Sequence, residues 1–390
     1  MSTSRRLAPG RARAAAGFSL IELMVGMVIG LLCTIVIATV LSAAEGQRRG
    51  TTQGSDAQVA GSLAIYALQR DVAVAGYGFA SEAGAVGCQL QAFYNGLAVN
   101  ALPAWLAPVI ITQGVAGGAD QVRVLASSKF ISGDAAAPST VGYTVPSRVV
   151  GPHYDPNDTT GKLVKDRYNV WSSLSVSKGD LMVAVTDAAT PCGLFQVTGD
   201  PTPGVVPRAD DPAKWNPNKH PAYATKEPVG ATPGSFLVNL GSILDVIYTV
   251  DAKQRLTVSR LNTTTMSRNT SELQSNVVQL RAMYGRDTDG DDVVDTYDYT
   301  TPTTHAGWLS VLSVRLAVVA RSAQFEREEV TVANPQWDVG TATAVAGSAT
   351  CGDSKCVEIK LDALSDWKHY RYKVFDTIVP LRNQRWKAGP

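Results

Sequence analysis

The densest chemistry in the sequence is an acidic run, Asp287-Thr288-Asp289-Gly290-Asp291-Asp292-Val293-Val294-Asp295-Thr296-Tyr297-Asp298. Acids fall at loop positions one, three, five, nine and twelve. That spacing wraps the six to eight oxygens that Ca2+ takes around one point. Read this way, Asp287, Asp289 and Asp291 each offer a carboxylate and Val293 offers its backbone carbonyl. Asp295 binds directly or through water, and Asp298 stands where an EF-hand carries its bidentate glutamate. Two departures are visible. Position six is Asp292 instead of the glycine of the sharp turn, with Gly290 close by, and Asp298 reaches less far than a glutamate. The run predicts a structural Ca2+ that rigidifies the loop. The plain alternative is a solvated acidic hairpin turn.

Other chemistry is sparse. The histidines are His153, His220, His305 and His369, and none sits in a metal-ligand or nucleophile motif. There is no G-x-S-x-G and no phosphate-binding glycine loop ending in Lys-Ser/Thr, so the sequence offers no catalytic constellation. Trp308, Trp367 and Trp386 read as core or strand-edge anchors. Cys33 lies within an apolar segment and reads as a small apolar residue. Cys88, Cys192, Cys351 and Cys356 permit two disulfides if that region lies outside the cytoplasm. Cys351 and Cys356 flank Gly-Asp-Ser-Lys, a natural turn, and a bond there would contribute about 2 kcal/mol through loop entropy. Cys88 with Cys192 would close a loop of about 105 residues, for about 4–5 kcal/mol on the same model. A four-thiolate zinc site has the wrong spacing.

The elements that must carry these groups follow from composition and periodicity. The chain has 390 residues, 45% hydrophobic and 18% charged, with 34 Gly and 20 Pro. This is a globular balance with many turns between strands. Strands are predicted at Gln121–Ala126, Leu181–Thr186, Leu194–Thr198, Ser235–Leu240, Asp245–Val250, Arg255–Arg260, Val277–Tyr284 and Val311–Ala320. A closing strand is predicted in Tyr370–Asn383. Val311, Val314, Leu316 and Val318 leave Arg315 mid-strand, which predicts one partly exposed sheet face. Stretches around 132–162 and 200–234 read as long loops or an insertion. Upstream, Val59, Leu63 and Tyr66, with Ile65, Leu68 and Val72, recur at helical spacing and predict an apolar helix face. Gly76-Tyr77-Gly78 should end that helix.

The N-terminus carries the strongest pattern. Leu23 to Ala44 is 22 residues without a charge. As a helix it would be about 33 Å long, against roughly 30 Å of bilayer hydrocarbon. Arg5, Arg6, Arg11 and Arg13 precede it, which holds the N-terminus in the cytoplasm and sends the rest outward. Without those four, 31 basic side chains face 34 acidic ones, so the charge balance suggests no nucleic acid partner. An ordinary secretory signal places its small-residue cleavage site after the apolar run. Here Ala14-Ala15-Ala16-Gly17 comes before it, although Ser42-Ala43-Ala44 would also admit a cut.

Gly17-Phe18-Ser19-Leu20-Ile21-Glu22-Leu23-Met24-Val25 resembles the prepilin signature of type IV pilins and secretion pseudopilins. The resemblance implies cleavage after Gly17 by a membrane aspartyl peptidase and methylation of the new N-terminus at Phe18. It also implies that Glu22 meets the N-terminal amine of a neighbouring subunit and sets the register of assembly. A carboxylate in an apolar helix costs about 2.5–3.5 kcal/mol at mid-membrane, so such a partner is needed. Gly26 and Gly30 form a G-x-x-x-G pair that permits close helix approach. The proline that major pilins usually carry midway along this segment is absent. Leu68-Gln69-Arg70-Asp71 with Ala75-Gly76-Tyr77, and Tyr370-Arg371-Tyr372 with Phe375 and Leu381-Arg382-Asn383, are similar to minor pilins of the PilW type.

The resemblance implies an α+β, pilin-like fold in which a long N-terminal helix packs on an antiparallel sheet domain. Its parts are a cleaved leader at 1–17, a transmembrane and filament-core helix at 18–44, an amphipathic continuation at 45–78, and a periplasmic β-rich domain at 79–390 with an insertion around 130–234. The implied role is that of a non-enzymatic minor pilin, which primes assembly and enters the pilus at low abundance near its tip. Twitching motility, adhesion and DNA uptake are the processes served. Implied partners are the other minor pilins, the major pilin, the prepilin peptidase and the inner membrane. A type II secretion pseudopilin and a membrane-anchored calcium-dependent adhesin or hydrolase remain alternatives.

Overall fold

The computed structural model describes residues 19–95, 97–129, 146–151, 166–185, 191–209, 215–216, 236–345 and 347–385. Gly17, Phe18 and Trp386 lie outside these residues, as does most of 130–165 and 210–235. The chain divides into two compact units, Met1–Gly54 and Ser55–Pro390.

The first unit holds the start of a long helix, Leu20–Ala73. Its segment Leu20–Ser42 has a mean hydropathy of 2.6 and none of it is buried, so it is long and apolar enough to cross a membrane.

The second unit is built mostly of small sheets around one principal core. In it the helix turns Ala57, Ala60, Gly61, Ala64, Leu68 and Val72 inward. The face predicted from Val59, Leu63 and Tyr66 is therefore corrected, because these three side chains are exposed. The reason is steric. A Cβ added to Gly61 would overlap the Phe375 ring, so only small residues let the helix come this close to the sheet. The helix ends at Ala73, a few residues before Gly76-Tyr77-Gly78.

A five-stranded antiparallel sheet runs Ser267–Ser275, Arg255–Asn262, Leu244–Val250, Gln121–Ala126, Val109–Thr112 in spatial order. A four-stranded one runs Thr296–Asp298, Val277–Arg286, Val311–Arg321, Tyr372–Pro380. Asp120 stitches the two together: its amide donates to the Leu280 carbonyl at 2.8 Å and its carboxylate accepts from the Ala282 amide at 2.9 Å. A six-stranded sheet has Leu181–Val185 and Cys192–Gln196 near its centre, so part of the stretch expected as an insertion is woven into a sheet. In it Cys88–Gln91 pairs in parallel with Cys192–Gln196. The single antiparallel sheet expected from the resemblance is thus corrected to several small sheets, one containing a parallel pair. Parallel pairing is available here because about a hundred residues of chain separate the two strands, well beyond the dozen or more that such a crossover needs.

The expected exposed face of the four-stranded sheet is also corrected. Its inner side packs Leu280, Tyr284, Leu316 and Val318 into the principal core. Its outer side, with Val278, Met283, Ala317 and Val319, is covered by Trp337, Val339, Ile359 and Leu361. These come from residues 322–371, which join two neighbouring strands and form their own three-stranded sheet of Gln336–Gly340, Ser354–Glu358 and Ala349–Cys351. Arg315 is accordingly not a solvent group. Its Nη2 donates to the Asp338 carbonyl at 2.7 Å, and its guanidinium lies 5.8 Å from the ring centres of Tyr297 and Trp337.

Candidate functional site

The acidic loop joins two antiparallel strands whose last rungs are Arg286 with Thr296, Gly285 with Tyr297 and Tyr284 with Asp298. The turn is made by two residues in the left-handed region, Gly290 at φ 86° and Asp292 at φ 64°. Asp tolerates that region better than most side chains, so position six can turn without a glycine. Asp287 is buried, and its Oδ1 and Oδ2 accept from the amides of Gly290 (2.6 Å) and Asp292 (2.9 Å). Asp295 Oδ2 accepts from both the amide and the hydroxyl of Thr288, at 2.6 and 2.7 Å.

Of the six predicted ligands, three converge. Carboxylate oxygens of Asp287, Asp289 and Asp295 lie within 4.8 Å of one another. Asp291 instead accepts from the Val293 amide at 2.8 Å. Asp298, fixed in the ladder opposite Tyr284, pairs with Arg286 Nε at 2.8 Å and accepts from the Thr300 amide at 2.6 Å. The electrostatics follow the geometry. The hydrogen bond from the Asp291 amide lowers the pKa of the Asp289 carboxyl, but the charges of Asp291, Asp295 and Asp287 outweigh it and hold the pKa above the usual carboxylate value. The Asp295 carboxyl is held below it by the amide and hydroxyl of Thr288. A cation in this loop would find three converging carboxylates on a scaffold already turned by backbone hydrogen bonds.

At the start of the long helix, Glu22 Oε2 accepts from the Ser19 amide at 3.0 Å and Ser19 Oγ accepts from the Glu22 amide at 3.3 Å. This reciprocal pair is a capping box, and it satisfies two of the amides that a helix N-terminus leaves open. The sequence reading passed over that function of Glu22, although Ser19-x-x-Glu22 before an apolar run is its signature.

The motif residues quoted from the two halves of the chain meet at the other end of the helix. Asp71 Oδ2 accepts from Tyr248 OH at 2.5 Å, and both groups are buried. Burial, with Asp71 beside it, pushes the Tyr248 hydroxyl well above its ordinary pKa. Asn383 Nδ2 donates to the carbonyls of Val74 (3.2 Å) and Ala75 (3.0 Å), just past the last helical turn. Asn383 thus ties the chain just past the helix to the C-terminal end of the domain. The four cysteines are joined as Cys88–Cys192 and Cys351–Cys356, the first buried and the second closing a hairpin turn. Trp308 lies in the principal core and Trp367 is half-buried, while Cys33 is exposed on the apolar helix.

Residues 246–383 match the family model of PilW, described as Type IV Pilus-assembly protein W. No curated protein and no solved structure matches the chain. The matched stretch begins in the strand Leu244–Val250, covers the whole four-stranded sheet with its cover, and ends on Asn383 at the helix end. Over that stretch the chain is similar to the PilW family of type IV pilus-assembly proteins.

Proposed function

We propose that this chain is a minor pilin: a membrane-inserted precursor, cleaved between Gly17 and Phe18, that primes assembly of the type IV pilus and enters it near the tip. The observation that carries this reading is one chain holding both the PilW match and an unburied apolar helix with one acid, Glu22, in its first turn. The secretion pseudopilin reading shares the helix but not the PilW match. In the minor-pilin role the chain catalyses nothing, is cut and methylated by the prepilin peptidase, and works through contacts with major and minor pilins. Mass analysis of the N-terminus of membrane-extracted protein tests it. A chain beginning at methylated Phe18 is expected, and one beginning at Met1 or after Ala44 would rule the reading out.

The acidic loop adds a second component, a structural Ca2+ held by Asp287, Asp289 and Asp295. It would bring the loop's mutually repelling carboxylates to one partner and stiffen the hairpin. Melting of the detergent-solubilised chain should rise with Ca2+ over chelator, and Asp289→Asn with Asp295→Asn should abolish the difference. An unchanged melting temperature on chelation refutes the Ca2+ component and leaves the pilin reading standing.

A further inference from the structure

The ladder between Val311–Arg321 and Tyr372–Pro380 ends on the rung Arg321 with Tyr372, and the chain between them, 322–371, leaves and re-enters at that one point. There the Ser322 amide donates to the Arg371 carbonyl at 2.8 Å. This segment carries its own three-stranded sheet and its own disulfide, Cys351–Cys356. Beyond the hinge rung, its main-chain hydrogen bonds to the four-stranded sheet among the described residues are both at Tyr297, with Ala342 and Ala344, each at 3.0 Å.

The layer between cover and sheet is also poorly matched. Gln279 Oε1, Arg315 Nε, Arg321 Nε, Trp337 Nε1 and Tyr372 OH are shut off from solvent without a hydrogen-bond partner. Buried polar atoms in native proteins are nearly all satisfied, and each exception opposes the contact that buries it. On the inner face of the same sheet Tyr284 OH accepts from the Ile111 amide at 2.6 Å, and Trp308 Nε1 is buried there without a partner. What sets the outer layer apart is that its cover is a separate segment joined to the sheet at one rung.

We propose that residues 322–371 are a hinged cover that swings off the four-stranded sheet about the Arg321–Tyr372 rung, exposing the apolar face of Val278, Met283, Ala317 and Val319. Opening rehydrates the orphaned polar atoms, while the rest of the domain stays folded through its inner core.

Methionine oxidation reads this directly in the full-length, detergent-solubilised protein. Met283 and Met182 are both fully buried, Met283 under the cover and Met182 in a separate cluster. With dilute hydrogen peroxide and peptide mass analysis, Met283 should oxidise at least roughly tenfold faster than Met182, since local opening outpaces global opening. Arg315→Ala, which removes the contact to Asp338, should speed Met283 further and leave Met182 unchanged. A disulfide lock from Tyr297→Cys with Thr343→Cys, positions paired across an isolated bridge, should slow Met283 to the rate of Met182. Equal rates for the two methionines in the unaltered chain overturn the proposal, as does Arg315→Ala accelerating both together. If the locked variant does not fold, the comparison in the unaltered chain decides alone.

Discussion

Glu22 accepts the Ser19 amide while Ser19 Oγ accepts the Glu22 amide, so the acid does local work before any neighbouring subunit is considered. Replacing the N-cap residue itself, Ser19, would cost about 0.5–2 kcal/mol, and Glu22 supplies the other half of the box. An alanine substitution at Glu22 would therefore confound two effects, the loss of that half and the loss of the charge. Glutamine separates them, because it serves at the third helical position of a capping box as well as glutamate does. Glu22→Gln should insert in the membrane and keep its helix, yet fail to enter pili. Glu22→Ala should keep the Ser19 Oγ bond to the residue-22 amide but lose the bond to the Ser19 amide, together with assembly. Membrane fractionation alongside recovery in sheared pili measures each, and wild-type recovery of the glutamine variant would show that the charge is not what assembly needs. The cap was written in the same four residues. The apolar run around Glu22 pointed to a charge seeking a partner, whereas the hydroxyl three residues upstream already marks a capping box. In the acidic loop, spacing alone could bring Asp287, Asp289 and Asp295 to one point. It could not show that Asp298 is already a rung of a ladder, because the length of the flanking strands fixes that.

Nine of the 22 strands described in the second unit were legible from runs of apolar residues between turn signals. Gln121–Ala126 falls where the pattern puts it, and Val277–Arg286 and Val311–Arg321 extend the predicted runs by one or two residues. The faces of elements were harder to read. The helix shows its larger apolar residues Val59, Leu63 and Tyr66 to the outside and buries alanines and Gly61, since close approach to the sheet selects for small volume over hydrophobicity. Arg315 was read as solvent-facing because a charge in a strand usually is, and the cover that buries it lies more than twenty residues on. The Gly61–Phe375 approach yields a prediction whose sign depends on its neighbour. Alanine is favoured over glycine within a helix by about 0.8–1 kcal/mol. Against the Phe375 ring, however, the new methyl forces an overpacking adjustment of about 1–3 kcal/mol, so Gly61→Ala should destabilise the domain. In a Phe375→Ala background the obstacle is gone, and the same change should stabilise. Urea midpoints for the four members of this cycle test it, and a Gly61→Ala effect of equal sign in both backgrounds would place the close approach elsewhere.

At the scale of the molecule, the PilW match covers 246–383, while the six-stranded sheet draws its strands from upstream of that stretch. That upstream region was the part least readable from sequence. Its parallel pair joins Leu90 to Cys192 and Gln91 to Gly193, a contact that local patterning does not encode and that only the two cysteines marked. The same fact distinguishes the two disulfides. Cys88–Cys192 spans a sequence separation of 104, against 5 for Cys351–Cys356. The free energy of closing a loop grows with the logarithm of its length, so the long bond should contribute about 4–5 kcal/mol and the short one about 2 kcal/mol. Whole domains are stable by only about 5–15 kcal/mol, which makes the first a large share and the second a small one. Cys88→Ala with Cys192→Ala should therefore lower the urea midpoint of the solubilised chain about twice as far as Cys351→Ala with Cys356→Ala. The hairpin strands Ala349–Cys351 and Ser354–Glu358 lie in the cover, so loss of their bond should act mainly there. Equal shifts for the two pairs would mean that chain entropy is not the main contribution, and that packing around the buried Cys88 and Cys192 sulfurs sets the stability instead.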